Sequence, residues 1–192
     1  MTIEHHLRGL TSPPPDDLEA RTVVGAGAAD LVAPADSPYG GLWVAWSING
    51  FTALTLASAA ATSDAFMSLH RRACYTAPRL PSDLADALER VLVHGDTASA
   101  PIDLRGVAPF QTSVLTACSS IPPGTVRPYG WIAETIGNPG SVRAVGTALA
   151  RNPLPLVVPC HRVVRSDGSI GNYAFGSDMK REILAREGAI LA

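Results

Sequence analysis

One hairpin constrains this chain before anything else. Leu42-Trp43-Val44-Ala45-Trp46-Ser47 and Phe51-Thr52-Ala53-Leu54-Thr55-Leu56 are rich in β-branched and aromatic residues, and Asn49-Gly50 stands between them. Asn-Gly suits a two-residue turn because both positions need a positive φ. A hairpin alone is marginal in water. It therefore demands further sheet and a covering layer. Asp30 to Ala33 offers a third strand, joined through Ser37-Pro38-Tyr39-Gly40-Gly41. Residues 62–72 and 82–94 supply helices, the second with Ser82 or Asp83 as cap and Leu84, Leu88, Val91 and Leu92 on one face.

The flanks differ in character. Residues 1–28, with Pro13-Pro14-Pro15 and Asp16-Asp17, have little apolar periodicity and read as a flexible leader. Composition shifts again over Thr97 to Val107, as expected of a connection between domains. The fold class expected is α+β. A small N-terminal domain with a β-sheet and helices spans 29–104, and a mainly helical C-terminal domain spans 105–192. With 192 residues and 46% hydrophobic content, each half has a core to bury. No apolar run approaches the length of a membrane span, and no signal peptide opens the chain, so the expected location is the cytoplasm, with no membrane partner.

Charge is uneven along the chain. Residues 1–104 carry 6 Lys/Arg against 12 Asp/Glu, and residues 105–192 carry 9 against 5. The second half thus leans toward an anionic partner, although a solvated basic face has the same composition. Cys74, Cys118 and Cys160 are far apart and lack CxxC or Cys/His spacing, so neither a disulfide framework nor a metal site is signalled. No cofactor is implied.

The second half is punctuated by proline and glycine. A helix starts at Pro109, runs through Phe110, Val114, Leu115 and Cys118, and must stop before Pro122-Pro123-Gly124. Tyr129 to Ile136 reads as helix, Gly137-Asn138-Pro139-Gly140 as turn, and Ser141 as N-cap of a helix reaching about Ala150. This is a helix-turn-helix pattern, which also fits plain helix packing. Val142, Val145 and Leu149 make a buried stripe. Ser141, Ala144, Gly146, Thr147 and Ala148 are small, and Arg143 is the lone charge before Arg151. A helix reading the major groove carries more Arg, Asn or Gln, so this one suits the narrower minor groove.

After Asn152-Pro153, a buried-strand-like run Leu156-Val157-Val158 enters Pro159-Cys160-His161-Arg162-Val163-Val164. Proline on the approach directs the thiol on a rigid turn. An alkyl carbon is attacked by a thiolate, which imidazole and guanidinium groups favour, so His161 offers a base and Arg162 a positive field. Glu187, in a final helix Ser177 to Glu187, is a candidate to orient His161 through its other ring nitrogen, a contact that sequence alone does not show. Taken alone, the same residues fit an inert buried cysteine beside a satisfied histidine.

Several spaced motifs occur in one order: Ile121-Pro122-Pro123-Gly124, Tyr129-Gly130, Gly137-Asn138-Pro139, Arg143-Ala144-Val145-Gly146, Asn152-Pro153, Pro159 to Val163, and Gly171-Asn172-Tyr173. From about Phe110 to Gly188 the chain resembles the 6-O-alkylguanine-DNA alkyltransferases, the methylated-DNA–protein-cysteine methyltransferases. The first half, with Ser37-Pro38-Tyr39-Gly40, resembles that family's ribonuclease-H-like N-terminal domain. The resemblance implies a monomer that binds double-stranded DNA containing 6-O-alkylguanine from the minor groove and flips the base. It then moves the alkyl group irreversibly from guanine, and from the 4-oxygen of thymine, to a cysteine.

By the same resemblance Cys160 accepts the alkyl group, His161 takes its proton through a water, Glu187 holds His161, and Asn152 braces the cysteine turn. Arg143 enters the duplex, while Ser141, Ala144 and Gly146 lie against DNA with Tyr129. Tyr129, Val163, Tyr173 and Ala174 line the base pocket. Leu115 stands where many members have Trp, and Ala174 where Gly or Ser is usual. Members that bind lesions without repairing them lack the cysteine, so Cys160 argues against that class. A thiol hydrolase built on Cys160 and His161 is the rival chemistry.

Overall fold

The computed structural model describes residues 18–70 and 72–189. Its first half is a four-stranded sheet in the order β3-β2-β1-β4, formed by β1 (Ala29–Ala35), β2 (Leu42–Ser47), β3 (Gly50–Leu56) and β4 (Ala73–Thr76). The expected hairpin is β2-β3, antiparallel, with Leu42 opposite Leu56, but its turn is not Asn49-Gly50. Ser47 pairs with Gly50, so Ile48-Asn49 make the turn and Gly50 opens β3, where a Cβ would run into Pro101 O. The third strand pairs antiparallel with β2 and is longer than expected. The fourth strand, parallel to β1, was not anticipated. Ala73-Cys74-Tyr75-Thr76 is too short and too mixed to show alternation; its pairing is dictated by the strand beside it.

Helices surround this sheet. α1 (Leu18–Gly25) lies within the stretch expected to be leader, so 18–28 is helix and turn, while 1–17 falls outside the described residues. α2 (Ser63–Leu69) is shorter than 62–72; Thr62 caps it, its hydroxyl accepting from the Ala65 N–H. α3 (Ser82–His94) has the expected bounds and buried face, but Pro81 occupies the cap, and neither Ser82 nor Asp83 supplies it.

The second half contains α4 (Pro109–Ser119), α5 (Tyr129–Thr135), α6 (Val142–Ala150) and α7 (Ser177–Arg186). Two short strands, β5 (Arg127–Pro128) and β6 (Val163–Val164), pair in parallel. In α6 the buried residues are Val145, Ala148 and Leu149; Val142 is 41% exposed, contrary to the expected stripe. Ser141 does not cap by its side chain. A 3₁₀ turn at Pro139–Ser141 precedes the helix, and the Ser141 hydroxyl donates back to the Asn138 carbonyl. Leu156-Val157-Val158 is buried as expected but forms no strand. Pro153 and Pro155 have no N–H for a ladder, and Leu156 takes φ +75°.

The main apolar core runs through both halves, from Val44, Phe51 and Leu54 to Leu115, Ile132 and Val158, and a smaller one around Val32, Ala45, Ala53 and Phe66 lies between the sheet and α2. The connection 97–107 is tied down rather than loose. Phe51 N–H donates to Pro101 O and Asp103 N–H to Phe51 O, and the buried Ser47 hydroxyl donates to Asp103. The edge strand β3 also reaches the cysteine loop, where Leu54 N–H donates to Pro153 O.

Arg162 is the strongest tie. Its side chain is fully buried, and all five of its N–H groups are used. Nε and Nη2 donate to the two Glu187 oxygens at 2.9 and 2.7 Å, Nη1 to Ile121 O and Thr97 Oγ1, and Nη2 also to Gly95 O. Gly95 must be glycine. It ends α3 at φ +66°, and a Cβ there would stand 2.9 Å from Glu187 Oε1 and 3.1 Å from Arg162 Nη2.

Removing the cation leaves a buried carboxylate and carbonyls unpaired, which costs roughly 3–5 kcal/mol. Arg162→Met is therefore expected to lower Tm by roughly 10 °C in a thermal melt; a shift of only a degree or two would refute the tie. Burial alone would raise the Glu187 pKa, but hydrogen bonds and charge from His161 and Arg162 outweigh it and hold the carboxyl at about 2, below the ordinary 4.5. Its folded value is depressed, so its contribution is complete above 4.5 and lost as pH falls toward about 2. Urea unfolding at stepped pH should show this slope, and Glu187→Gln should flatten it.

Candidate active site

Cys160 begins a 3₁₀ turn, Cys160–Arg162, directly after Pro159. The thiol is buried at 7% residue exposure. Its position is set from the end of α6. Asn152 follows that helix by two residues, and its Nδ2 donates to Val158 O at 3.1 Å and lies 3.3 Å from Cys160 Sγ, while its Oδ1 accepts from Leu154 N–H. Cys160 N–H in turn donates to Val158 O. One amide thus links the helix end, the proline loop and the thiol.

His161 stands beside it, almost wholly buried, with Nε2 3.1 Å from Glu187 Oε1. Nδ1 is buried and has no protein partner among the described residues. A carboxylate on Nε2 fixes the tautomer with the proton there, which leaves Nδ1 as an acceptor. Burial lowers the imidazole pKa; the Glu187 hydrogen bond and charge oppose this without reversing it. His161 is therefore a neutral base at neutral pH. Glu187 itself is not in a helix interior, since α7 ends at Arg186 and Glu187 is the cap residue just beyond.

The environment of the thiol differs from expectation. Burial raises the Cys160 pKa, and the Asn152 hydrogen bond and the Lys180 charge only partly offset it. The resting group is a thiol. Arg162 does not supply the expected field, because its guanidinium is spent on Glu187 and the Gly95, Thr97 and Ile121 acceptors. The cation that acts on Cys160 is Lys180, which sequence reasoning missed. It is fully buried on α7, donates to Val163 O at 2.6 Å, and is brought by burial to a pKa of about 8. Its signal was faint: one lysine in a helix otherwise marked as surface.

Of the remaining expected residues, Val163, Tyr173 and Tyr129 lie near this centre, while Ala174, Ser141, Arg143 and Ala144 stand apart from it. Val163 is buried and gives its carbonyl to Lys180. The Tyr173 ring meets His161 edge-on at 6.1 Å. Ala174 is exposed and lines a cavity of about 490 Å³ together with Asn152, Pro155 and Phe175. Tyr129 opens α5, packed beside Gly146 of α6 and against Gly171, where a Cβ would lie 3.3 Å from its hydroxyl. Arg143 and Ala144 are exposed on α6, and Ser141 is half-buried before it. Gln111 of α4 was also missed; its amide donates to Ala148 O and Arg151 O, closing the end of α6.

Among the described residues, no three His, Cys, Asp or Glu side chains are grouped to hold a metal ion, and no helix is long and apolar enough to cross a membrane. What the arrangement offers is a buried thiol with an amide donor, a nearby ammonium and an oriented neutral base. That is the equipment for a nucleophilic displacement.

Residues 109–189 match the family model described as the DNA binding domain of 6-O-methylguanine DNA methyltransferase. A methylated-DNA–protein-cysteine methyltransferase of Mycolicibacterium paratuberculosis is 50% identical over 86 residues, 45% of this chain and 52% of that protein. The bifunctional transcriptional activator/DNA repair enzyme Ada of Escherichia coli is 35% identical over 169 residues, 85% of this chain and 47% of that protein. The match thus spans about half the length of these sequence relatives. Among solved structures, Mycobacterium tuberculosis OGT in complex with DNA superposes with a TM-score of 0.69 at 33% identity, covering 83% of this chain and 93% of that one. The O6-methylguanine methyltransferase of the same organism gives 0.67 at 32%, with the same coverage. With identity above 30% across nearly the whole of those solved chains, this protein belongs to the O6-methylguanine-DNA methyltransferase family.

Proposed function

We propose that the protein repairs alkylated DNA by direct reversal, moving the alkyl group from O6 of guanine to Cys160 once per molecule. The observation that carries this is the placement of Cys160 Sγ 3.3 Å from the amide of Asn152, the residue that follows the helix-turn-helix. DNA engagement and nucleophile are parts of one connected piece of structure.

In this reading α5 and α6 dock a duplex, with α6 in the minor groove. Its small residues Ser141, Ala144 and Gly146 allow close approach, and exposed Arg143 fills the place of the flipped nucleotide. Flipping is required because O6 of a stacked guanine is out of a thiol's reach. Tyr129 contacts the flipped nucleotide, and the Val163 backbone, Tyr173 and Ala174 line its pocket.

Sγ then attacks the alkyl carbon while the carbon–O6 bond breaks. The thiol proton passes through a water to His161 Nδ1, and guanine takes up one proton as it leaves. Glu187 stabilises the imidazolium, and Asn152 and Lys180 stabilise the developing thiolate. Burial that disfavours a resting thiolate also guards Cys160 against other electrophiles. The product is a thioether, which water does not readily cleave, so the protein acts once. In this reading the protein acts in the cytoplasm.

Intact-mass measurement after incubation with a 6-O-methylguanine duplex should show a gain of one methylene per chain, absent in Cys160→Ser. Many turnovers, or folded protein without the gain, would sink the proposal. His161→Ala should slow transfer by roughly 10²-fold at neutral pH. For the parental protein the single-turnover rate should stay level on acidification through 6.5, the ordinary imidazole value, and fall only beneath it. A rate already falling above 6.5 would contradict a base whose pKa is lowered.

A further inference from the structure

A second feature of the same face lies outside the helix-turn-helix. The parallel ladder β5-β6 sets Arg127 opposite Val163 and Pro128 opposite Val164. Both strands leave it at the same end, so Tyr129 on one and Arg165 on the other emerge side by side. They meet over Gly171, where a Cβ would stand 3.3 Å from Tyr129 Oη and 3.7 Å from Arg165 Cγ. Gly171 has φ +69° and leaves just this space.

Arg165 is exposed, and its guanidinium makes no hydrogen bond or ion pair among the described residues. The backbone beneath it is fixed: Arg165 N–H donates to Ser169 O and Gly168 N–H to Arg165 O, a closed turn. An open cleft of about 710 Å³ runs from this turn past Tyr129 and Trp131 to Val142 at the start of α6. Arg127 forms the other rim, its guanidinium held 5.6 Å from the centre of the Trp131 ring. Two carboxylates, Glu134 and Asp167, also line the cleft, and Asp167 Oδ1 accepts from Ser169 N–H. The cleft as a whole is therefore near charge balance; Asp167 shares the turn with Arg165 and feels its charge, but makes no hydrogen bond or ion pair with it among the described residues, so the Arg165 donors remain open to a ligand beside Tyr129.

We propose that Arg165 is a phosphodiester contact, holding the backbone of the flipped strand beside Tyr129 while the base is in the pocket. The inference rests on the repair reading above and adds a positioning residue to it. A nucleotide that reaches Cys160 from a duplex lying on α6 passes Tyr129, which brings its flanking phosphates to this rim. The donor fork of an arginine suits a phosphate. A contact of this kind carries no sequence information, fixes the register of the strand, and is weakened by salt. Because β6 follows the Cys160–Arg162 turn without a break, a phosphate held at Arg165 is fixed relative to the thiol.

The test uses the full chain as parental protein, Arg165→Ala and Arg165→Lys, each shown folded by circular dichroism. Binding to a fluorescent 6-O-methylguanine duplex is followed by anisotropy over a series of salt concentrations. Transfer is measured from that duplex and from the free base 6-O-benzylguanine. Arg165→Ala is expected to bind several-fold more weakly at low salt, with the slope of log K against log salt reduced by about one. It should transfer more slowly from duplex and at the parental rate from the free base. Arg165→Lys should keep the slope. Parental affinity and slope in Arg165→Ala would overturn the proposal, as would an equal loss on duplex and free base, which would place Arg165 in the chemistry of the pocket. If the parental protein gains no alkyl group from either substrate, the repair reading has failed, and the salt slope, which needs no transfer, still decides the contact.

Discussion

Everything around the reactive turn depends on the bidentate pair of Arg162 and Glu187. A buried guanidinium has no tolerable state except full pairing, and here it is paired by the end of α3, the loop after α4 and the residue beyond α7. Those partners come from three places far apart in sequence. Satisfying one side chain therefore fixes how the first half, the helices of the second half and the last helix sit together. The carboxylate that answers Arg162 is also the one that orients His161. Glu187 Oε1 thus takes part both in the tie to Arg162 and in the contact with His161.

The neighbouring Asn152 does for the nucleophile what Glu187 does for the base. Its amide spans Val158 O and Cys160 Sγ while its carbonyl holds Leu154 N–H. The loop it organises contains two prolines and a leucine in the left-handed region, a shape not settled by local preference alone. Support comes from outside the loop as well, through the edge of the sheet at Leu54 and Pro153. The N-terminal sheet is thus more than a companion domain. It braces the back of the acceptor loop.

Much of this was legible in the sequence, and the limits are instructive. The hairpin, the helix at 82–94 and the two helices around Gly137 carried strong local signals and exist as expected, while their details did not all follow: the hairpin turn falls at Ile48-Asn49, Pro81 takes the cap of α3, and Val142 faces outward. β4 was invisible because its pairing is imposed by β1. Leu156 to Val158 looked like a strand because burial and strand propensity leave the same apolar mark, and only the missing proline N–H groups tell them apart. In the site, the adjacency of Cys160 and His161 fitted an inert cysteine as well as a reactive one, and it was the resemblance that singled out these two and Asn152. Arg162 was given the wrong task, since sequence shows that a cation is adjacent to a thiol but not that its donors face the other way. Lys180 was missed for the converse reason: an amphipathic helix gives no warning that its one lysine points inward.

The position of Glu187 along the chain has a bearing on how the protein comes into being. During synthesis Cys160 leaves the ribosome before residue 187 does, and domains acquire their structure in that order. Until α7 has been made and docked, His161 has no carboxylate to set its tautomer, Arg162 has no counter-charge, and Lys180 has not reached Val163. A nascent chain therefore carries its thiol without the machinery that activates it. On the proposed reading, in which each molecule reacts once, the thiol is armed by the same late step that locks the halves of the fold together.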